Sequence, residues 1–147
     1  MIEILPIKAI DYLSQATDLM VSHWQENESE LTDQGPNPYL PMYYAMEKAD
    51  MMIMLGCFEG TVMVGYAIAF VYPHPHYGIV FAQHDVLFVR KDMRRGSLGL
   101  RLIHRVKEEA KARGACFICW HAKPGSAMDK ILRTRSVLEE LVYREEI

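Results

Sequence analysis

An apolar run, a short basic loop and an amphipathic helix follow one another between Val86 and Ile103. The apolar run, Val86–Val89, is typical of a buried strand, and the loop after it carries Arg94 and Arg95. A helix that starts after such a loop has backbone amides without intrahelical acceptors, and its dipole favours negative charge there. The two arginines add fixed positive charge beside these amides. The stretch therefore predicts a strand–loop–helix unit with a phosphate-binding site at the start of the helix.

Two common phosphate-binding motifs do not fit this loop. A P-loop requires a Lys-Ser/Thr pair after its second small residue, and no such pair is present. A dinucleotide-binding fingerprint requires G-x-G-x-x-G, whereas Gly96 and Gly99 give only G-x-x-G. The loop does fit the pattern Arg/Gln-x-x-Gly-x-Gly/Ala over Arg94–Gly99, with Ser97 in place of the first glycine.

The length and charge of the chain limit what it can be. Its 147 residues are enough for one domain with a sizeable core, so we expect a single domain over 1–147. The net charge of −3 argues against a general nucleic-acid binder, which needs a cationic face. No apolar run approaches the roughly 18–20 residues of a membrane span. The N-terminus lacks the basic region of a signal peptide, and we expect a cytoplasmic protein with no membrane partner.

The three cysteines fit a reducing compartment. Cys116 and Cys119 form a C-x-x-C pattern within an apolar, β-branched run. On a strand, positions i and i+3 point to opposite faces, so these thiols are poorly placed for a shared metal or a disulfide. We expect both, and Cys57, to be buried structural thiols.

Periodicity and turn residues predict the order β-α-α-β-β-β-α-β-α-β, a mixed α/β sheet in which an antiparallel meander leads into a βαβ unit. An irregularity is expected near His84-Asp85. The helix that follows the basic loop carries an apolar stripe of Leu98, Leu102, Ile103, Val106 and Ala110. The predicted strands are 1–7, 51–58, 62–71, 79–89, 115–122 and 137–145, and the predicted helices are 9–27, 42–50, 98–113 and 125–135.

The loop pattern and the element order together resemble the GNAT N-acetyltransferase superfamily over nearly the whole chain. The hairpin Leu55–Ala67 is similar to the second and third strands of that family, and Leu87–Val89 to the end of its fourth. Ser97 and the turn Lys123–Gly125 most resemble phage-encoded members. The resemblance implies the single-domain acyl-CoA N-acyltransferase fold and an acetyl-CoA-dependent N-acetyltransferase, in which a primary amine attacks the thioester directly.

The resemblance also implies where acetyl-CoA binds. Its pantetheine arm would bond to the backbone of the fourth strand, in a gap between the fourth and fifth strands. The loop amides would hold the pyrophosphate, with the two arginines as charge partners. No metal is implied, since His74 and His76 have no clear third ligand. The implied cofactor-binding residues are Leu87, Phe88, Val89, Arg94, Arg95, Gly96, Ser97, Leu98, Gly99 and Leu100.

Catalytic candidates follow from the same resemblance. Members often use a carboxylate on the fourth strand as the base, and Asp85 and His84 lie at about that level. Strand alternation sends these two side chains to opposite faces unless a bulge intervenes, and a structural polar pair at a strand kink is the alternative. The tyrosine that often acts as the acid would fall near Leu132 and is missing. Tyr143, on the predicted closing strand, could replace it only if it faces the cleft.

The acceptor pocket is expected between the first helix, the loop after it and the turn before the fourth strand. Acidic and aromatic side chains there suit a cationic amine, although a solvated acidic helix end would give the same composition. The main candidates are Trp24, Glu28, Tyr72 and His76, with His23, Glu26, Glu30, His74 and Tyr77 beside them.

Three functions remain open at this point. The first is acetyl transfer to a small-molecule amine, a protein lysine or a protein N-terminus. The second is a non-catalytic GNAT-fold module that binds an acyl-CoA or a partner protein. The third, a nucleic-acid-associated adaptor, is disfavoured because the pyrophosphate role already accounts for part of the basic stripe. Apolar surface among the ten methionines and the closing strand makes a homodimer an expectation. The stripe comprises Arg90, Lys91, Arg94, Arg95, Arg101 and Arg105.

Overall fold

The computed structural model describes residues 1–14, 16–27 and 34–147. Five strands form one sheet in the order β1-β2-β3-β4-β5, in which β1 to β4 are antiparallel neighbours and β5 runs parallel to β4. The predicted mixed α/β fold is confirmed. None of the helices in these ranges is long and apolar enough to cross a bilayer. The elements are β1 (Ile2–Pro6), α1 (Ala9–Tyr12), α2 (Thr17–Asn27), α3 (Leu40–Lys48), β2 (Met52–Glu59), β3 (Val62–Pro73), β4 (Val80–Val89), a turn of 3-10 helix (Lys91–Met93), α4 (Leu98–Ala112), β5 (Ile118–Cys119) and α5 (Ala127–Arg133).

Helices cover both faces of the sheet, which explains why β2 and β3 are apolar almost throughout. On one face, α4 buries its whole predicted stripe against β2, β3 and β4. On the other face, α1 to α3 cover a second core that includes Tyr66, Phe70 and Phe88. A hydrogen bond from the backbone amide of Ala9 to the Glu47 carboxylate, at 2.5 Å, joins α1 to α3. The two faces therefore have separate helical covers, and β4 borders both.

The long helix predicted over 9–27 is divided into α1 and α2. The Thr17 hydroxyl donates to the backbone carbonyl of Ser14 at 2.8 Å. Serine and threonine side chains compete for backbone groups in this way, and they favour helix ends over helix interiors. Both α1 and α2 lie within the predicted range, but this local competition interrupts the helix.

The C-terminal part of the chain differs most from the prediction. Strand β5 covers only Ile118 and Cys119 of the predicted 115–122, although backbone hydrogen bonds to β4 begin at Cys116, and residues 137–145 form no strand. A strand needs a partner for its amides and carbonyls, and no described strand supplies one to residues 137–145. Tyr143 is consequently 85% exposed.

The three cysteines differ in their exposure to solvent. Cys57 is fully buried in β2, and burial raises the pKa of its thiol to about 11. Cys116 is exposed and Cys119 is partly exposed. The expectation of buried thiols is wrong for Cys116 and only partly met by Cys119, because both lie at the edge of the sheet.

A close approach of β3 and β4 gives a test of the fold. A Cβ added to Gly65 would lie 2.8 Å from the carbonyl oxygen of Phe88. We expect Gly65→Ala to lower the free energy of unfolding by about 1–3 kcal/mol, because the strands must shift. Gly99→Ala is the control, since its Cβ would meet nothing within 4 Å and a helical alanine adds up to about 1 kcal/mol. Urea unfolding measures both variants, and equal effects would contradict the close approach.

Candidate active site

Strands β4 and β5 separate beyond a short paired segment. Their backbone pairs are Ala82↔Ile118 and Gln83↔Cys119. Beyond Gln83, β4 continues to Val89, and among the described residues this part pairs with β3 alone. We call the space between residues 84–89 of β4 and the end of β5 the split. Its β4 side is an open strand edge, to which an extended chain can add by backbone hydrogen bonding.

The start of α4 presents a row of unpaired amides. The first amide of this helix with a backbone acceptor is that of Arg101, which donates to the Ser97 carbonyl at 2.8 Å. Within the described ranges, the amides of residues 95–100 have no protein acceptor. Gly96 has a φ of 111°, a conformation that favours glycine, and its Cβ position is open. The loop and helix start therefore form a site suited to an anion.

The two arginines of the loop have different surroundings. Arg94 donates through Nε to the Val89 carbonyl at 2.7 Å and pairs with the Glu26 carboxylate at 2.6 Å. Its guanidinium also lies 5.2 Å from the centre of the Phe88 ring. Arg95 is exposed and has no ion pair among the described residues. Arg94 thus joins the end of β4 to α2, and Arg95 is the better placed to meet an anion.

A cavity of about 220 Å³ lies on the α1–α3 side of β4. Its walls come from α1, α2, α3, the segment 36–38, β3 and β4. Apolar side chains such as Leu13, Met20 and Ile68 form part of the lining. Its ionisable side chains are His23, Tyr43, Tyr66 and Asp85.

A β-bulge places Asp85 and Val86 on the same side of β4, toward this cavity. Ile68 pairs with Val86 and Ala69 with His84, so Asp85 is the extra residue of β4 in this register. The bulge confirms the irregularity expected from the sequence. The Tyr43 hydroxyl donates to the Asp85 carboxylate at 2.8 Å, which joins α3 to the bulge.

A second polar pair lies across the cavity. Nδ1 of His23 and the hydroxyl of Tyr66 are 3.4 Å apart, and the His23 ring stacks on Phe88 with centroids 5.2 Å apart. The cavity thus combines a carboxylate with phenol and imidazole groups on an apolar wall. Such a lining suits the binding of a primary amine and the transfer of its proton.

Residues 17–127 match the Acetyltransferase (GNAT) family. The chain belongs to this family. It is an N-acetyltransferase, and the family uses acetyl-CoA. No curated protein sequence matches the chain.

Solved structures of acetyltransferases share this fold. An aminoglycoside acetyltransferase from an uncultured soil metagenomic sample has a TM-score of 0.77 and 18% identity, covering 100% of this chain and 98% of that chain. A ribosomal-protein-alanine N-acetyltransferase from Brucella melitensis biovar Abortus 2308 has a TM-score of 0.72 and 17% identity, with 100% and 99% covered. AAC(6')-Iy, in complex with the bisubstrate analog CoA-S-monomethyl-acetylneamine, has a TM-score of 0.67 and 15% identity, again with 100% and 99% covered. At these identities the likeness shows the fold.

In this GNAT acetyltransferase, His84 lies on the face of β4 opposite to the cavity. It is 7% exposed and packs against Trp120, with ring centroids 5.3 Å apart. Burial lowers the pKa of His84 to about 4, with smaller contributions from His121 and His23. Asp85 and His84 therefore face different sides, and Asp85 is the one that lines the cavity.

Other predicted site residues lie away from the cavity. The Tyr72 hydroxyl donates to the Gln83 side chain. His76 lies in the turn after β3, where its amide donates to His74 Nδ1 at 3.2 Å. Neither they nor Trp24, whose indole nitrogen is buried without a described acceptor, lines the cavity. Tyr143 also lies outside it, because the strand expected to carry it is not formed.

The turn between β3 and β4 is therefore not a wall of this cavity, and α3 takes that place. Glu28 and Glu30 lie outside the described residues. Tyr43 is not among the site residues predicted from the sequence, although Pro36, Pro38 and the proline at the start of α3 mark a fixed entry to a helix. Metal ligation also finds no support in the described ranges, where no three His, Cys, Asp or Glu side chains form a group of ligands.

The buried His84 gives a pH test. Its pKa is about 4 in the folded protein and about 6.5 when unfolded, so the unfolded state binds more protons between these values. The stability that His84 contributes is present above pH 6.5 and is lost as the pH falls toward 4. Between pH 7.5 and 5 we expect a loss of about 2 kcal/mol from this group.

Urea unfolding of the wild type, His84→Leu and His104→Leu at both pH values measures this loss. His104 is an exposed control, with its side chain 73% accessible. We expect His84→Leu alone to have the weaker pH dependence. The same pH dependence in all three proteins would contradict the buried neutral state of His84.

Proposed function

We propose that this acetyltransferase binds acetyl-CoA in the split and transfers the acetyl group to a primary amine held in the cavity. The observation that carries the proposal is the adjacency of the two sites at the bulge. Asp85 lines the cavity, and Val86, the next residue, both lines it and belongs to the open edge of β4. An acyl donor on that edge and an amine in the cavity would meet at this point.

The open edge of β4 and the loop before α4 can bind different parts of the cofactor. Within Leu87–Val89, the backbone groups of Leu87 and the amide of Val89 face away from β3 and can bind the pantetheine arm, as an added strand would use them, whereas the Phe88 carbonyl faces β3 and the Val89 carbonyl accepts from Arg94. The amides of residues 95–100 and the Arg95 guanidinium offer hydrogen bonds and charge to the pyrophosphate. Ser97 makes no side-chain capping bond within α4, so its hydroxyl is available to the same anion.

The chemistry is direct transfer between the two sites. The Asp85 carboxylate takes a proton from the ammonium group of the acceptor, which makes the nitrogen nucleophilic. The nitrogen then attacks the thioester carbonyl carbon, the C–N bond forms, and the C–S bond breaks with its electron pair on sulfur. Water protonates the thiolate, and the second amine proton goes to solvent. The Tyr43 hydroxyl orients the carboxylate through its 2.8 Å bond.

The acceptor is a primary amine whose reacting end is narrow enough to enter the cavity. A cavity of about 220 Å³ is smaller than the roughly 300–1,000 Å³ of sites that enclose a drug-sized ligand. It fits an aminomethyl group, a lysine end or a protein N-terminus on an apolar stem. The carboxylate and the aromatic rings in its wall favour the charged form of such a group on arrival.

Charge reversal in the loop tests cofactor binding. We expect Arg95→Glu to weaken acetyl-CoA binding about 10- to 100-fold, since it replaces a charge-assisted bond with repulsion. Lys107→Glu changes the charge equally on an exposed part of α4 and should bind as the wild type does. Calorimetric titration measures both. Equal weakening in the two variants would mean that only net charge matters.

Removal of the carboxylate tests the proposed base. We expect Asp85→Asn to lower kcat about 10²- to 10⁴-fold while acetyl-CoA affinity changes by no more than about twofold. Asp18→Asn, an exposed position at the start of α2, is the matched control. Thiol release with a panel of primary amines and a lysine peptide measures turnover. An unchanged kcat for Asp85→Asn would remove Asp85 from the mechanism, and binding without turnover of any amine would favour a binding module.

A further inference from the structure

Two histidines join β4 and β5 just beyond their last backbone pair. The backbone amide of His121 donates to Nδ1 of His84 at 3.4 Å. Nδ1 of His121 lies 2.9 Å from the carbonyl oxygen of His84. A carbonyl oxygen only accepts, so Nδ1 of His121 carries the hydrogen in this bond. We call these two contacts the histidine clasp, and they form the closed end of the split, after Gln83 and Cys119.

The clasp sets the tautomer of His84. Since Nδ1 of His84 accepts a bond, the single hydrogen of the neutral ring is on Nε2. Burial keeps the ring neutral, as its lowered pKa indicates. Nε2 is buried, and it has no hydrogen-bond partner among the described residues. A buried donor without an acceptor is costly to the fold, and an acceptor that a ligand brought to it would remove this cost.

The position of His84 along β4 indicates which group that is. The loop amides begin at residue 95, after the end of β4 at Val89. His84 lies five positions before Val89, which corresponds to roughly 16 Å at about 3.3 Å per residue. An arm that runs along β4 from the loop therefore brings its far end to the clasp. Asp85, beside His84, faces the cavity that would hold the amine.

We propose that the Nε2–H group of His84 donates a hydrogen bond to the thioester carbonyl oxygen of acetyl-CoA at the closed end of the split. The inference rests on the binding of acetyl-CoA in the split described above. This hydrogen bond would make His84 a catalytic residue, on the face of β4 opposite to Asp85. His121 is a positioning residue, because its backbone amide fixes the tautomer of His84 and its side chain holds the His84 carbonyl.

The hydrogen bond strengthens as the reaction proceeds. When the amine nitrogen attacks, the C–N bond forms and the carbonyl π electrons move to oxygen. The fixed Nε2–H group stabilises that charge and keeps its proton. The oxygen electrons then re-form the carbonyl as the C–S bond breaks, and sulfur leaves with the bonding pair. A donor that is already oriented before substrate binds needs no reorganisation during this step.

A comparison of acetyl-CoA with CoA isolates the proposed contact, because CoA lacks the carbonyl oxygen. We expect His84→Leu to weaken acetyl-CoA binding about 10-fold and to leave CoA binding within about twofold of the wild type. We expect its kcat to fall about 10²- to 10³-fold. His84→Gln keeps an N–H group near the position of Nε2 and should recover part of both losses. His104→Leu is the exposed control and should behave as the wild type.

His121→Ala provides an independent variant that retains His84. We expect a lower kcat with little change in KM, because the variant loses the side-chain bond to the His84 carbonyl that holds this part of β4 in place, while the backbone amide at 121 still fixes the tautomer of the ring. Parallel weakening of acetyl-CoA and CoA binding in His84→Leu, or an unchanged kcat in both His84→Leu and His121→Ala, would overturn the assignment. A wild type that binds neither ligand would instead overturn the proposed acetyl-CoA site, and this inference with it. Calorimetric titration and thiol release measure these quantities.

Discussion

Backbone pairing between β4 and β5 stops after Gln83 and Cys119, and the proposed cofactor site depends on where that pairing ends. Up to that point the two strands are held by parallel pairing, with α4 as the crossover between them. Beyond it, β4 keeps its partner β3 on one side and exposes its other edge. The buried stripe of α4 holds the helix against the sheet, so that its unpaired amides lie at the open end of the split. A continuous β4–β5 ladder would satisfy the same edge and leave no place for a cofactor arm.

The bulge at Asp85 gives the second constraint, because it places both Asp85 and Val86 on the cavity side of β4. His84 remains in the buried layer beside Trp120, where the clasp to His121 closes the split. Asp85 leaves the β3 ladder and faces a cavity covered by α1 to α3. An acyl donor and an amine acceptor that occupied these places would approach the same point of β4 from different sides.

The elements that depend on nearby residues could be predicted from the sequence. The apolar stripe of α4, the hairpin of β2 and β3 and the bulge in β4 follow from periodicity and turn residues, and all are present. The extent of β5 and the absence of a strand at 137–145 depend on whether another strand offers a free edge. The hydrophobic periodicity of a segment does not tell whether such an edge is available.

Partners that are distant in sequence decide the details of the site. Arg94 and Arg95 are neighbours in the sequence, yet only Arg94 meets Glu26, which is 68 positions away. The wall built around Tyr43 depends in the same way on a contact with Asp85 over 42 positions. The loop could thus be predicted as an anion site, whereas the roles of its arginines and the acceptor wall could not.

Hydrogen–deuterium exchange with and without acetyl-CoA tests most directly whether the open edge and the helix start hold the cofactor. Without ligand, the amides of residues 95–100 have no described acceptor and should exchange quickly. On addition of acetyl-CoA we expect slower exchange at residues 86–89 and 95–100, and little change in β1 and β2. Protection confined to another surface, or none at saturating acetyl-CoA, would contradict a cofactor site in the split.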